Sequence, residues 1–420
     1  MSQRNLQTAS PMNKKPLHLF EGFGVELEYM IVDDQDLNVL PVTDKIIYHV
    51  AGRYENEIEQ GEICWSNELA LHVIELKTNG PASDLARLPD LFQHDIRRIN
   101  AILSDMGGRL MPGGTHPWMN PLTETRLWPH EYNAIYEAYD RIFNCKGHGW
   151  SNLQSIHLNL PFHDDAEFAR LHAAVRLVLP ILPALAAGSP VMDGKLTGFH
   201  DTRLEVYRFN QKKIPLAAGE VIPEAVFSKK DYEKVILHPL YQSIAPYDPD
   251  KILQDEWLNS RGAIARFERN TIEIRVLDIQ ECPLADMAIL CFIVEMIRDL
   301  VNETTVDVSM QRSFEIAPLA DIFRKCIVRS QDTVIQNEEY LRAFGFPESK
   351  GTAGELLTFL KSRLIPETSI WSGPLNLILK KGTLAGRIIS ALNNDVRHEK
   401  LKEVYGNLCR CLNKGELYDP

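Results

Sequence analysis

Charged and metal-ligating side chains fall on one face of several candidate strands, and this constrains the fold more than any other feature of the sequence. In a strand, alternate residues share a face. Glu21 to Asp33 reads as the first strand, with Val25, Leu27 and Tyr29 on one side and Glu26, Glu28 and Met30 on the other. Glu68 to Thr78 reads as a second, opening on Glu68 and carrying Glu75 within Val73-Ile74-Glu75-Leu76. Leu153 to Leu160 is a third, in which Ile156, Leu158 and Leu160 oppose Ser155, His157 and Asn159. Asn270 to Asp278 is a fourth, with Ile272, Ile274 and Val276 opposite Thr271, Glu273 and Arg275.

Taken singly, each is satisfied by an antiparallel strand with its polar side in water. If the four share a sheet, their polar faces merge into one surface dense in carboxylates, with one imidazole and one guanidinium. Like charges at close range repel unless cations neutralise them. Oxygen-rich ligand sets suit magnesium or manganese. Arg275 beside such a set suits a phosphate oxygen, whose geometry its planar fork matches. Carboxylates, a divalent cation and an arginine are the components of phosphoryl transfer from a nucleotide.

Between these strands the pattern is mixed. Leu85 to Met106 reads as an amphipathic helix ending at Gly107-Gly108, Arg109 to Met111 as a short extended piece, and Leu122 to Cys145 as partly helical. Ala166 to Ala187 reads as a helix despite Pro180 and Pro183, and Leu284 to Leu300 as a strongly apolar one. That last helix serves as core or as an intersubunit surface of a homo-oligomer, and core is the preferred reading. Strands and helices do not alternate regularly, and there is no GxGxxG or phosphate-binding P-loop. The expected class is therefore α+β with an antiparallel sheet. Three stretches are expected: a loose tail over residues 1–16, a mixed strand-and-helix domain over 17–304 that carries the charged strand faces, and a mostly helical region over 305–420 broken near Gly345 to Gly354. The last is a subdomain or a layer on the main sheet.

The 420 residues carry a net charge of −12, which argues against a nucleic-acid surface. No run of about 18 apolar residues appears, so no membrane span is expected. The N-terminus lacks an apolar signal core. Seven cysteines at scattered spacings, with no CxxC pair, favour a reducing cytoplasm over a disulfide framework. Cys409 and Cys411 read as incidental thiols, and none of the seven sits in a motif for covalent catalysis.

The ordered set GVELEYMIVD, ELALHVIELKT, GGTHPW, SIHLNL, AAGSPVMDG and ARFERNTIEIRVLD resembles glutamate–cysteine ligase family 2. That family groups carboxylate–amine ligases within the glutamine synthetase superfamily, and the resemblance spans roughly Gly22 to Asp278. It implies a curved antiparallel sheet backed by helices, with the active site on the concave face. It implies ATP as phosphoryl donor, Mg²⁺ or Mn²⁺ as metal, and an acid and an amine as small-molecule substrates. By the resemblance, Glu26, Glu28, Glu68, Glu75, His157 and Glu273 are metal ligands, with Glu75, His157 and Arg275 as catalytic residues. The family's strand motif usually reads His-x-His; here Ser155 replaces the first histidine.

Four further residues are candidates for cofactor binding: His116 in the GGTHPW loop, Arg203 after AAGSPVMDG, and Arg266 and Arg269 before the last strand. Lys77 shares a face with Glu75 and reads as its structural partner, while Lys212 and Lys213 read as solvated charge. The expected activity joins an acid, with glutamate foremost, to an amine through an acyl phosphate. Glutamate–cysteine ligase proper, a non-catalytic nucleotide-binding adaptor, and a kinase or phosphatase using the same metals are the alternatives.

Overall fold

A computed structural model describes residues 15–131 and 133–420. Most of the tail expected over residues 1–16 lies outside the described residues. The strands are β1 (Gly24–Asp33), β2 (Glu57–Gln60), β3 (Ile63–Asn67), β4 (Val73–Thr78), β5 (Gly108–Met111) and β6 (Ser155–Pro161). They continue with β7 (Val191–Met192), β8 (Lys195–Leu196), β9 (Ala263–Arg266), β10 (Thr271–Asp278), β11 (Val334–Ile335) and β12 (Gly351–Thr352). One antiparallel sheet runs β2-β3-β4-β1-β6-β10-β9, with β5 also paired to β1. All four segments singled out from the sequence thus meet in one sheet, and the class is α+β.

The first and last of these strands agree with the sequence reading. The second does not: β4 begins at Val73, and residues 68–72 form the connection from β3. The β2–β3 hairpin was not anticipated. It turns at Gly61, whose φ of 82° is the left-handed conformation that glycine adopts without strain. Ile63 to Asn67 is buried at every position, so it lacks the polar–apolar alternation that marks a half-exposed strand.

The apolar face of the sheet holds Val25, Leu27, Tyr29, Ile74, Leu76, Ile156, Leu158, Leu160, Ile272 and Ile274, all essentially inaccessible. Three helices cover it: Leu88–Ser104, Asp165–Val178 and Pro283–Val301. The first presents Leu88, Phe92, Ile96, Ile99 and Leu103, a helical stripe, and takes Pro89 in its first turn. The second is capped by Asp164, which accepts from Ala166 N and Glu167 N at 3.0 Å each. It ends at Val178, nine residues before the expected end, because Pro180 and Pro183 each fall in the first turn of a new short helix. The third is buried on nearly all sides within the chain, so it is core.

The polar face is covered at its two ends. Met30, Val32 and Val73 pack under helices Leu384–Leu392 and His398–Lys414. A separate apolar cluster of Tyr139, Ile142, Leu240, Leu253 and Leu258 stands at the other side. The β6–β10 pair is irregular. Ile274 pairs with Leu158 and Leu277 with Ile156, so two residues of β10, Arg275 and Val276, oppose the single residue His157.

Candidate active site

Strand register assembles the site. Across β1 and β6, Glu26 faces His157; across β1 and β4, Glu28 faces Glu75 and Glu26 faces Lys77. Across β10 and β6, Glu273 faces Asn159. The result is a ring of carboxylates around one imidazole. Two groups of ligand atoms lie within 4.8 Å of one another: Glu26, His157 and Glu273, and Glu28, Glu75 and His157.

Each member is held. His157 Nδ1 lies 2.8 Å from Glu26 Oε2, and its Nε2 lies 3.0 Å from Ser155 Oγ. Ser155 in turn donates to Glu28 Oε2 from its hydroxyl and from its backbone N–H, each at 2.8 Å. Ser66 Oγ donates to Glu75 Oε1 at 2.7 Å, and Asn159 Nδ2 to Glu26 Oε1 at 3.2 Å. A Cβ on Gly24 would lie 2.9 Å from Asn159 Cβ, so the glycine leaves room for that side chain. Arg266 NH1 donates to Glu273 Oε2 at 3.1 Å, and Arg275 pairs with the other oxygen of Glu273. Arg275 remains 29% exposed, so its guanidinium still reaches open space. Lys77 pairs with Glu57 at 2.9 Å and with Glu75 at 3.4 Å, as its face suggested.

The electrostatics are those of a tightly coupled charge cluster. Burial alone would raise Glu26, but the hydrogen bond to His157 and the charges of His157, Lys77 and Arg275 outweigh it and hold the carboxyl at about 2. Burial, then the charge of Glu26, raises Glu75 above the ordinary carboxylate value. Burial, Glu75 and Glu28 push Glu68 well above it. Burial and Arg275 oppose protonation of His157, yet its bond to Glu26 and the charges of Glu28 and Glu26 raise it above an ordinary imidazole. Converging carboxylate oxygens beside one imidazole fit a hard divalent cation. Glu26, Glu28, Glu75, His157 and Glu273 are the residues that would hold it.

The remaining candidates divide. Glu68 sits outside both ligand groups, half-buried on the wall of an adjoining cavity of about 450 Å³ that also touches Glu28, His157, Arg203 and Arg275. Arg203 is buried there and pairs with Asp278, with NH2 donating to Arg275 O at 3.3 Å. Arg269 borders a second cavity of about 590 Å³, on the Glu26 and Lys77 side of the ring. Arg266 stands between Glu273 and Glu256 and borders neither.

His116 needs correcting. It is fully buried away from both cavities: Nε2 lies 2.7 Å from Leu37 O, and Nδ1 accepts from Met119 N at 2.9 Å. Both ring nitrogens are spent on backbone, so its side chain orders the GGTHPW loop and faces neither cavity. Ser66, Asn159 and Asp278 were not singled out from the sequence. Asn159 lies on the same strand face as His157, which was the available signal.

The residues from 22 to 337 match the family model described as Glutamate-cysteine ligase family 2. The chain belongs to that family. An uncharacterized protein of Archaeoglobus fulgidus is 34% identical over 395 residues, covering 94% of this chain and 99% of its own length. A protein of Nitrosospira multiformis named "Putative glutamate--cysteine ligase 2" is 26% identical over 291 residues, 67% of this chain and 68% of that one. Among solved structures, the complex between the prokaryotic ubiquitin-like protein Pup and its ligase PafA matches with a TM-score of 0.38 at 12% identity. That match covers 94% of this chain, which spans 64% of the other's length, and likeness at this level says nothing about chemistry. No helix among the described residues is long and apolar enough to cross a membrane.

Proposed function

We propose that this member of glutamate–cysteine ligase family 2 is an ATP-dependent carboxylate–amine ligase, with glutamate or a related amino acid as the acid. One observation carries the reading: Glu26, Glu28, Glu75, His157 and Glu273 converge between two cavities, with Arg275 at their edge. A non-catalytic binder has no need of that many neighbouring carboxylates, whose mutual repulsion costs stability.

The nucleotide enters on the Glu26 side, where Lys77 and Arg269 border the second cavity. The acid and the amine enter on the Glu28 side, where Arg203 and Glu68 border the first. A divalent cation held by the carboxylate ring supplies charge neutralisation between phosphates and acid. Arg275 directs its guanidinium at phosphoryl oxygens as their charge shifts. The γ-phosphoryl group passes to a carboxylate oxygen and ADP departs. The amine nitrogen then attacks the acyl carbon, a C–N bond forms, phosphate leaves, and the nitrogen gives up a proton. The buried floor of the site, Ser155, His157 and Glu75, limits access of water, which otherwise hydrolyses the acyl phosphate. No side-chain nucleophile is required.

The test is hydroxylamine capture. With ATP, Mg²⁺ and glutamate, hydroxamate should accumulate in step with ADP. ADP release without hydroxamate points to a phosphatase or kinase, and bound ATP without ADP release points to an adaptor.

A further inference from the structure

We propose that the first cavity takes a substrate carrying a flat, uncharged ring, and that Tyr139, Trp150, Trp257 and Gln211 select it. This rests on the ligase reading above and names a compound class that reading leaves open. Tyr139 packs against Trp150 with ring centroids 5.1 Å apart, and against Trp257 at 5.6 Å. All three rings border the cavity, as do Tyr136 and Tyr207.

Several polar ends of these side chains are already committed. Trp150 Nε1 donates to Asn210 O at 3.1 Å, Tyr207 OH to Ser260 O at 2.8 Å, and Tyr136 OH accepts from Asn67 Nδ2 at 3.0 Å. These residues therefore offer ring surface to a ligand. Flat rings meet such surfaces in offset or edge-on contact.

Charge points the same way. The ionisable acids and bases on the cavity wall, tyrosines aside, are Glu28, Glu68, His157, Arg203 and Arg275. Arg203 and Arg275 are paired with Asp278 and Glu273, and Glu28 and His157 belong to the carboxylate ring. None comes from the segments that supply Tyr139, Trp150 and Trp257. A second, independent observation concerns Gln211. It is 3% exposed, it borders the cavity, and its Oε1 has no hydrogen-bond partner among the described residues. A buried carboxamide oxygen left unpaired is costly, and a turn of the side chain toward the cavity would bring it within reach of a ligand N–H.

Calorimetry on the full chain with Mg²⁺ tests the proposal with four probes: 2-phenylethylamine, 3-phenylpropionate, cysteine and 1,4-diaminobutane. One of the two ring-bearing probes should bind at least tenfold more tightly than cysteine and than the diamine. Which one does so assigns the ring to the amine or to the acid. Trp257→Ala, checked for intact folding by circular dichroism, should weaken that probe at least tenfold, and Gln211→Leu, checked likewise, should do the same to 2-phenylethylamine, whose N–H groups can meet Oε1. Equal or tighter binding of cysteine or the diamine overturns the proposal. So does binding of none of the four, or ring binding indifferent to both substitutions. Hydroxamate formation reports on the ligase reading separately, since hydroxylamine needs no ring pocket. Where 3-phenylpropionate is the tighter probe, it replaces glutamate in the hydroxylamine assay; hydroxamate without ring selectivity then sinks this inference alone, and ring selectivity without hydroxamate sinks the ligase reading alone.

Discussion

Ser155 spends both its hydroxyl and its backbone N–H on a single oxygen, Oε2 of Glu28, each at 2.8 Å. The hydroxyl also touches His157 Nε2 at 3.0 Å, so one small side chain sets the aim of two candidate metal ligands. Where the resemblance leads one to expect a histidine, this chain has a serine that holds two candidate ligands. Groups that orient metal ligands commonly matter by about 10–100-fold in metal affinity. Ser155→Ala should weaken Mn²⁺ binding within that range, read by titration calorimetry. An unchanged affinity would mean the backbone N–H alone suffices.

Glu273 accepts from both Arg266 and Arg275 and belongs to one of the two ligand groups. Glu273→Gln keeps the shape and removes the charge. ADP release should fall by orders of magnitude while the circular dichroism spectrum is retained. Near-normal turnover removes Glu273 from the site.

Three buried histidines should make the fold acid-labile. Burial holds His72 and His116 at about 4, and burial with the charge of Arg176 holds His172 at about 3, all below the ordinary 6.5. Between those values and 6.5 the unfolded chain takes up protons that the folded chain refuses. Stability is thus fully present above about pH 6.5 and falls as pH drops through the folded values, by about 1.4 kcal/mol for each unit of separation per group. The urea midpoint at pH 5 should lie clearly below that at pH 7.5. Coincident midpoints contradict the neutral assignment.

Arg387 and Glu281 form an ion pair with side chains 1% and 0% exposed, and Arg387 also donates to Glu281 through NH2 at 3.2 Å. Tyr418 N donates to Glu281 at 3.2 Å, so the pair anchors the end of the chain. Removing one partner strands a buried charge, at about 3–5 kcal/mol. Arg387→Ala should show that loss in urea unfolding, and the double change Arg387→Met with Glu281→Met should lose much less. Equal losses would assign the effect to packing.

Much of the sheet was legible because period-two alternation survives wherever one face is core and the other polar. Glu26, Glu28, His157 and Glu273 follow that rule, and the sheet brings them together. It failed at Ile63 to Asn67, which is buried on both faces and so carries no alternation. It misplaced Glu68, because apolar Leu69 and Leu71 lie in a connection and mimic a strand start. His116 misled for another reason: a glycine-rich loop with a histidine has the composition of a ligand loop, and only coordinates reveal that backbone consumes both nitrogens. The aromatic wall of the first cavity comes from segments far apart in sequence, a convergence that local pattern does not encode.

The irregularity in β10 sets which way the end of that strand looks. Up to Ile274, even-numbered residues face the helices; past the doubled step at Arg275 and Val276, Leu277 takes the inward place and Asp278 pairs with Ser155 instead. Asp278 is thereby delivered to Arg203, Ser189 and the backbone of Gly188 rather than into hydrocarbon. Were the same residues paired one to one, with no doubled step, Asp278 would point into the oily layer and the Arg203 guanidinium would be left stranded beside the first cavity. A half-step of misalignment is what lets a single strand serve two sides in turn.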